Sequence, residues 1–158
     1  MQERLGAICE ICRQVYQEDL LGLAVFGSYG RGVARPDSDI DLLLIVDHQP
    51  AGRTAAMRSF GPVEAAFAKW WQEKAQDQAA PSLSPVFRSR AELEDGFALL
   101  LDMVDDAVVL DDPLHLIEDR LRRLKERLEE LGAKRIPYKG AWYWDLKPNF
   151  QPGDVVEL

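Results

Sequence analysis

Five consecutive apolar residues, Leu42-Leu43-Leu44-Ile45-Val46, constrain the fold more than any other stretch of this chain. Successive side chains of a strand point to opposite faces, so a strand that is apolar at every position has to be covered on both sides. Leu20 to Phe26 forms a second apolar run and ends in Gly27-Ser28, the profile of a buried strand meeting a turn. The chain's 158 residues are about the mode for one domain, so one core is expected.

Around these runs the periodicity alternates. Residues 2–18 read as an amphipathic helix, and Gly30, Gly32, Pro36 and Asp37 punctuate a loop or short helix. The second strand spans Asp39 to Val46, and a helix carrying Phe60, Val63, Phe67 and Trp70 covers 51–78, with Gly61-Pro62 as a kink or restart. Leu83 to Arg88 is a weaker strand whose Pro85 suggests an edge or a bulge. A helix over 91–105 and a short strand over 107–110 follow. Leu114, Ile117, Leu121, Leu124, Leu128 and Leu131 then step by 3, 4, 3, 4, 3, and Gly132 closes that helix. This stripe is expected to cover the protein's own sheet; pairing with a second copy, making a homodimer, is the alternative. The tail from Ile136 is aromatic and turn-rich. Trp142, Tyr143 and Trp144 are expected to pack on their own domain rather than stack on a nucleic acid. The division expected is a core over 1–112 and a C-terminal helix with its tail over 113–158, packed as one domain.

Charge narrows the choice of function. Lys and Arg number 19 against 27 Asp and Glu, which disfavours non-specific nucleic-acid binding. The acidity is concentrated in residues 1–112, with 10 basic and 19 acidic side chains, whereas 113–158 hold 9 and 8. No apolar stretch approaches the roughly 20 residues of a membrane span. Met1-Gln2-Glu3-Arg4 does not open a basic-then-apolar leader, so a cytoplasmic location is expected. The two cysteines, Cys9 and Cys12, have C-x-x-C spacing but lie on the apolar stripe of the first helix with Leu5 and Ile8. They read as small core residues rather than a redox pair. His48 and His115 read as loop or helix-edge residues.

The segment that carries chemistry is Phe26-Gly27-Ser28-Tyr29-Gly30-Arg31-Gly32, followed by Ser38-Asp39-Ile40-Asp41-Leu42. Gly27 at a strand end lets backbone approach a ligand. Ser28 adds a hydroxyl, and free N–H groups at the start of a following helix suit phosphate oxygens. Asp39 and Asp41, two apart on a strand, share a face. Two neighbouring carboxylates suit Mg²⁺, which completes its shell with water and phosphate. Singly, a Gly-Ser turn can be just a turn and Asp-x-Asp a solvated cap. A phosphate-cradling turn beside a metal-binding pair is what phosphoryl or nucleotidyl transfer requires, and the two occur here in the order strand, Gly-Ser, ten residues, Asp-x-Asp and apolar strand.

This order resembles the DNA polymerase β-like nucleotidyltransferase superfamily, and specifically its minimal members. The resemblance is specific over residues 22–47 and looser to about 112. It implies an α/β (α+β) fold, a mixed sheet of four to five strands flanked by helices. It also implies a Mg²⁺-dependent enzyme that moves a nucleoside monophosphate from a triphosphate, ATP being the expected one, to an acceptor. By position Gly27 and Ser28 would contact the β- and γ-phosphates, and Asp39 and Asp41 would be the catalytic metal ligands. Arg31 would orient the loop or touch phosphate, a structural ion pair being its alternative. Minimal members often work with a separate helical protein, commonly as the antitoxin of a toxin–antitoxin pair. One departure stands out. The family places a third carboxylate on the next strand, but Ser82 to Arg88 contains no acid, and Glu92 and Glu94 come too late. A degenerate member that binds nucleotide or partner without turnover is therefore the second reading.

Overall fold

The structure, a computed structural model, describes residues 1–75 and 78–158. Its elements in chain order are α1 (Gln2–Tyr16), β1 (Leu20–Phe26), α2 (Gly27–Gly30), β2 (Ile40–Val46), α3 (Gly52–Lys74) and β3 (Leu83–Arg88). They continue with α4 (Arg90–Asp95), α5 (Leu100–Met103), β4 (Val108–Asp111), α6 (Leu116–Glu130), β5 (Lys134–Tyr138) and β6 (Ala141–Asp145). Four strands form a mixed sheet in the order β3-β2-β1-β4, with β2 and β3 parallel and the other pairs antiparallel.

Both faces of the sheet are covered, as the apolar runs demand. Leu23, Val25, Ile40, Leu42 and Leu44 face one core, closed by α1 and α3. Ala24, Phe26, Leu43 and Ile45 face the other, closed by α4, α5 and α6. The leucine stripe of α6 packs there, with Ile117, Leu124 and Leu128 buried. Cys9 and Cys12 are free and buried on α1, and burial pushes the Cys12 thiol up to about 12, which leaves it inert.

Several boundaries differ from the sequence reading, each for a local reason. Asp39 stands just outside β2 rather than opening it. Helix α3 runs unbroken through Pro62; the expected extension to 78 crosses residues 76 and 77, which lie outside the described residues. The helix expected over 91–105 is two helices, α4 and α5, because Gly96 takes φ +86° and ends the first. The aromatic tail is ordered as an antiparallel hairpin, β5 and β6, turning on Lys139 and Gly140 at φ +46° and +80°. That pair of left-handed residues is the geometry of a tight two-residue hairpin turn. Trp144 reaches the second core and donates Nε1–H to the Leu101 carbonyl at 2.9 Å, while Arg135 pairs with Asp106 at 2.7 Å.

Candidate active site

β1 and β2 run antiparallel with Phe26 opposite Asp41, so the end of β1 and the start of β2 coincide in space. There the chain leaves β1 through Gly27 at φ +65° and turns directly into α2. A Cβ on Gly27 would run into Asp41 Oδ2. The glycine is therefore required twice, for a backbone conformation that side chains resist and for the room the carboxylate occupies.

Asp41 shares the parity of Leu43 and Ile45, on the face covered by α4 to α6. It is half-buried, whereas Asp39 is exposed. Burial raises the Asp41 carboxyl above its ordinary pKa, and the nearby Asp39 charge raises it further; Arg31 pulls the other way. Gly27 and Asp41 thus meet at the end of the two central strands, with Asp39 and Arg31 near enough for their charges to act on the Asp41 carboxyl. Ser28 follows Gly27 in α2, and its carbonyl accepts the Val33 N–H at 3.0 Å. Asp39 is aimed by a turn in which Arg35 N–H donates to Ser38 Oγ at 2.8 Å, and by the Ile40 N–H bond to the Ser82 carbonyl at 2.9 Å.

The parallel register sets Asp41 beside Ser84, on the same face and exposed. Neither glutamate downstream compensates. Glu92 closes a capping box with Ser89 (3.0 and 3.1 Å), and Glu94 is paired with Arg123 at 2.7 Å.

Two adjoining cavities lie beside this end of the sheet. One, about 500 Å³, includes Asp37, Asp39 and Ser82; the other, about 330 Å³, includes Arg4, Tyr29, Arg35 and Trp71. They share Pro36, Gln78 and Ala79. Tyr29 is buried, its hydroxyl accepts from Arg4 Nη1 at 2.6 Å, and that guanidinium lies 4.4 Å from the Trp71 ring centroid. Sequence reasoning missed this wall, because nothing local ties Arg4 to a residue 25 positions away. It also missed a cluster of Asp19, Asp47 and His48 at the opposite end of β1 and β2. There Asp19 Oδ1 already engages His48 Nδ1 at 2.7 Å on an open surface. Asp39 and Asp41 are two hard carboxylates next to the Gly27 turn, the donor type that suits a hard divalent cation.

A helix-flanked mixed sheet with a Gly-Ser turn against paired carboxylates defines a class of nucleotide-handling domain. Residues 7–97 match the family described as Nucleotidyltransferase domain, more than half of the chain, and the chain belongs to that family. Over 49 residues it is 45% identical to "Putative protein adenylyltransferase MJ1305" of Methanocaldococcus jannaschii, a match covering 31% of this chain and 33% of that protein. A solved spectinomycin adenyltransferase AAD(9) from Enterococcus faecialis, with ATP and spectinomycin, shares the fold at 16% identity and a TM-score of 0.54. That overlap covers 83% of this chain and 67% of the other. A solved toxin–antitoxin structure with AMP-PNP overlaps at 15% identity and a TM-score of 0.48, over 81% of this chain and 92% of that one.

Proposed function

We propose that this protein transfers adenylyl groups from ATP to a hydroxyl on another protein, with Mg²⁺ held by Asp39 and Asp41. The observation that carries the reading is the contact of the Gly27 turn with the Asp41 carboxylate. It joins a phosphate-sized approach to the backbone with a metal-binding pair in one place. The local identity to a chain named for protein adenylyl transfer supports the choice of group and acceptor class.

In this reading the Gly27-Ser28 turn offers its N–H groups and the Ser28 hydroxyl to the β- and γ-phosphates. Bound Mg²⁺ would neutralise phosphate charge and steady the pyrophosphate as it leaves. The acceptor oxygen attacks the α-phosphorus, the bond to the β-phosphate oxygen breaks, and the acceptor's proton goes to solvent. Arg31 orients the loop between the turn and Asp39, countering the charge of the two carboxylates. The acceptor is carried by a separate helical partner in the cytoplasm, as resemblance to the minimal members implies, and Mg-ATP is the donor.

Ser84 favours a second reading, a member that binds Mg-ATP without efficient transfer. No carboxylate stands beside Asp41 on β3 to complete a second metal site or take the acceptor's proton. Release of labelled pyrophosphate from γ-labelled ATP separates the two. Metal-dependent release by the wild type, lost in Asp41→Asn, supports transfer; tight binding with no release in the presence of lysate proteins supports the second reading.

A further inference from the structure

Arg120, on the inner face of α6, is the one buried charged side chain among the described residues, at 6% exposure. Its Nε–H donates to the Leu93 carbonyl at 3.1 Å, and no carboxylate pairs with it within the described residues. Glu94, the acid whose charge reaches it, is held by Arg123. Neither Nη group has a hydrogen-bond partner among the described residues, and both keep contact with the solvent that enters the cavity. Gly96, at φ +86°, makes room for them: a Cβ at that position would come within 2.5 Å of Arg120 Nη2. A cavity of about 300 Å³ opens at this point, walled by Phe97, Leu100, Leu101, Leu124, Val156 and Leu158. It shares no lining residue with the two cavities beside Asp39.

A buried cation with no counter-charge is costly, and an apolar side chain of similar volume would pack there at lower cost. Capping the end of α4 uses only Nε and does not account for the open fork above an apolar cavity. We propose that Arg120 anchors a small monocarboxylate with an unbranched apolar tail, the carboxylate on the Nη fork and the tail between Leu101 and Leu124. The planar fork matches a carboxylate. A single guanidinium in the lining, with the Asp95 carboxylate in the same lining, disfavours a phosphate dianion. The volume is at the low end of the roughly 300–1,000 Å³ of small-molecule sites, which suits a short fatty acid better than a nucleotide.

Octanoate, octan-1-ol and inorganic phosphate are the probes, titrated into the full chain while leucine and valine methyl resonances are followed. Octanoate should shift Leu101 and Leu124 saturably and bind about tenfold or more tighter than octanol, as a charge-assisted bond to a buried cation requires. Arg120→Met should remove that preference while leaving octanol binding intact and the melting temperature equal or higher. Ala98→Trp, which narrows the cavity without touching the guanidinium, should block octanoate and leave Mg-ATP binding unchanged, so the proposal stays testable if Arg120→Met fails to fold. Absence of saturable shifts at millimolar octanoate, equal binding of octanol, stronger binding of phosphate, or undiminished octanoate affinity in Arg120→Met would each overturn it.

Discussion

Gly27 and Asp41 compete for the same space, and that competition tests the site one residue at a time. Gly27→Ala adds a methyl where the Asp41 carboxylate lies, at a φ of +65°. It should cost about 1–3 kcal/mol in thermal unfolding and abolish Mg-ATP binding. Gly32→Ala is the control: φ is +70° but nothing lies within 4 Å of the new atom. It should cost about 1 kcal/mol and leave nucleotide affinity within a factor of two or so. A second test concerns charge. Arg13 holds Asp111 through two bonds of 2.8 and 2.9 Å, and this lowers the Asp111 carboxyl below its ordinary pKa. A group depressed by folding contributes stability above its unfolded pKa and loses it as pH falls through the folded value. Arg13 is half exposed, so solvent screening limits the contribution to about 0.5–1 kcal/mol. Asp111→Asn should therefore lower stability by that amount at pH 7, with the difference from wild type closing below the ordinary carboxylate range. The nearness of Asp39 to Asp41 was legible from their spacing, whereas the position of Asp39 outside β2 was not. The Arg4–Tyr29–Trp71 wall was not, because its members meet only when α1 and α3 pack over the turn.

At the scale of elements, helix ends decide what is free to act. Asp112 accepts the N–H groups of Leu116, Ile117 and Glu118 at 2.8 to 2.9 Å and so caps α6. Asp112→Ala should destabilise the fold by about 1–2 kcal/mol, read by urea denaturation, without altering the nucleotide site. The same logic removes Glu92 from the chemistry, since its carboxylate is spent on the α4 capping box. Two apolar runs, the leucine stripe and the buried C-x-x-C were all readable, because each is a periodic pattern that packing reinforces. The break at Gly96 and the β5–β6 hairpin were not. One glycine inside an apolar-periodic stretch is compatible with a continuous helix, and Lys139-Gly140 is a weaker turn signal than Asn-Gly. The helix does not restart at Pro62, because packing of Phe60, Val63 and Phe67 outweighs the local penalty.

Across the whole molecule, the sheet order brings β3 beside β2 in parallel, and Ser84 beside Asp41 follows from that register. An acid introduced by Ser84→Asp should tighten a second metal ion and raise the transfer rate by about tenfold or more, since even part of the roughly 10²–10⁴-fold effect of a well-positioned base reaches that size. An unchanged rate in Ser84→Asp, with the fold intact, would remove Ser84 as the limiting position. The account rests in the end on one claim, that the Gly27 turn and the Asp39–Asp41 pair hold a metal-bound triphosphate together. Calorimetric titration of ATP into the wild type and Asp41→Asn, each with Mg²⁺ and with chelator, tests it most directly. The account predicts saturable binding that requires Mg²⁺ in the wild type. It predicts loss of at least about tenfold in Asp41→Asn, whose melting temperature is equal or higher because a like charge beside Asp39 is gone. Equal affinity in the two proteins, or wild-type binding indifferent to Mg²⁺, would contradict it.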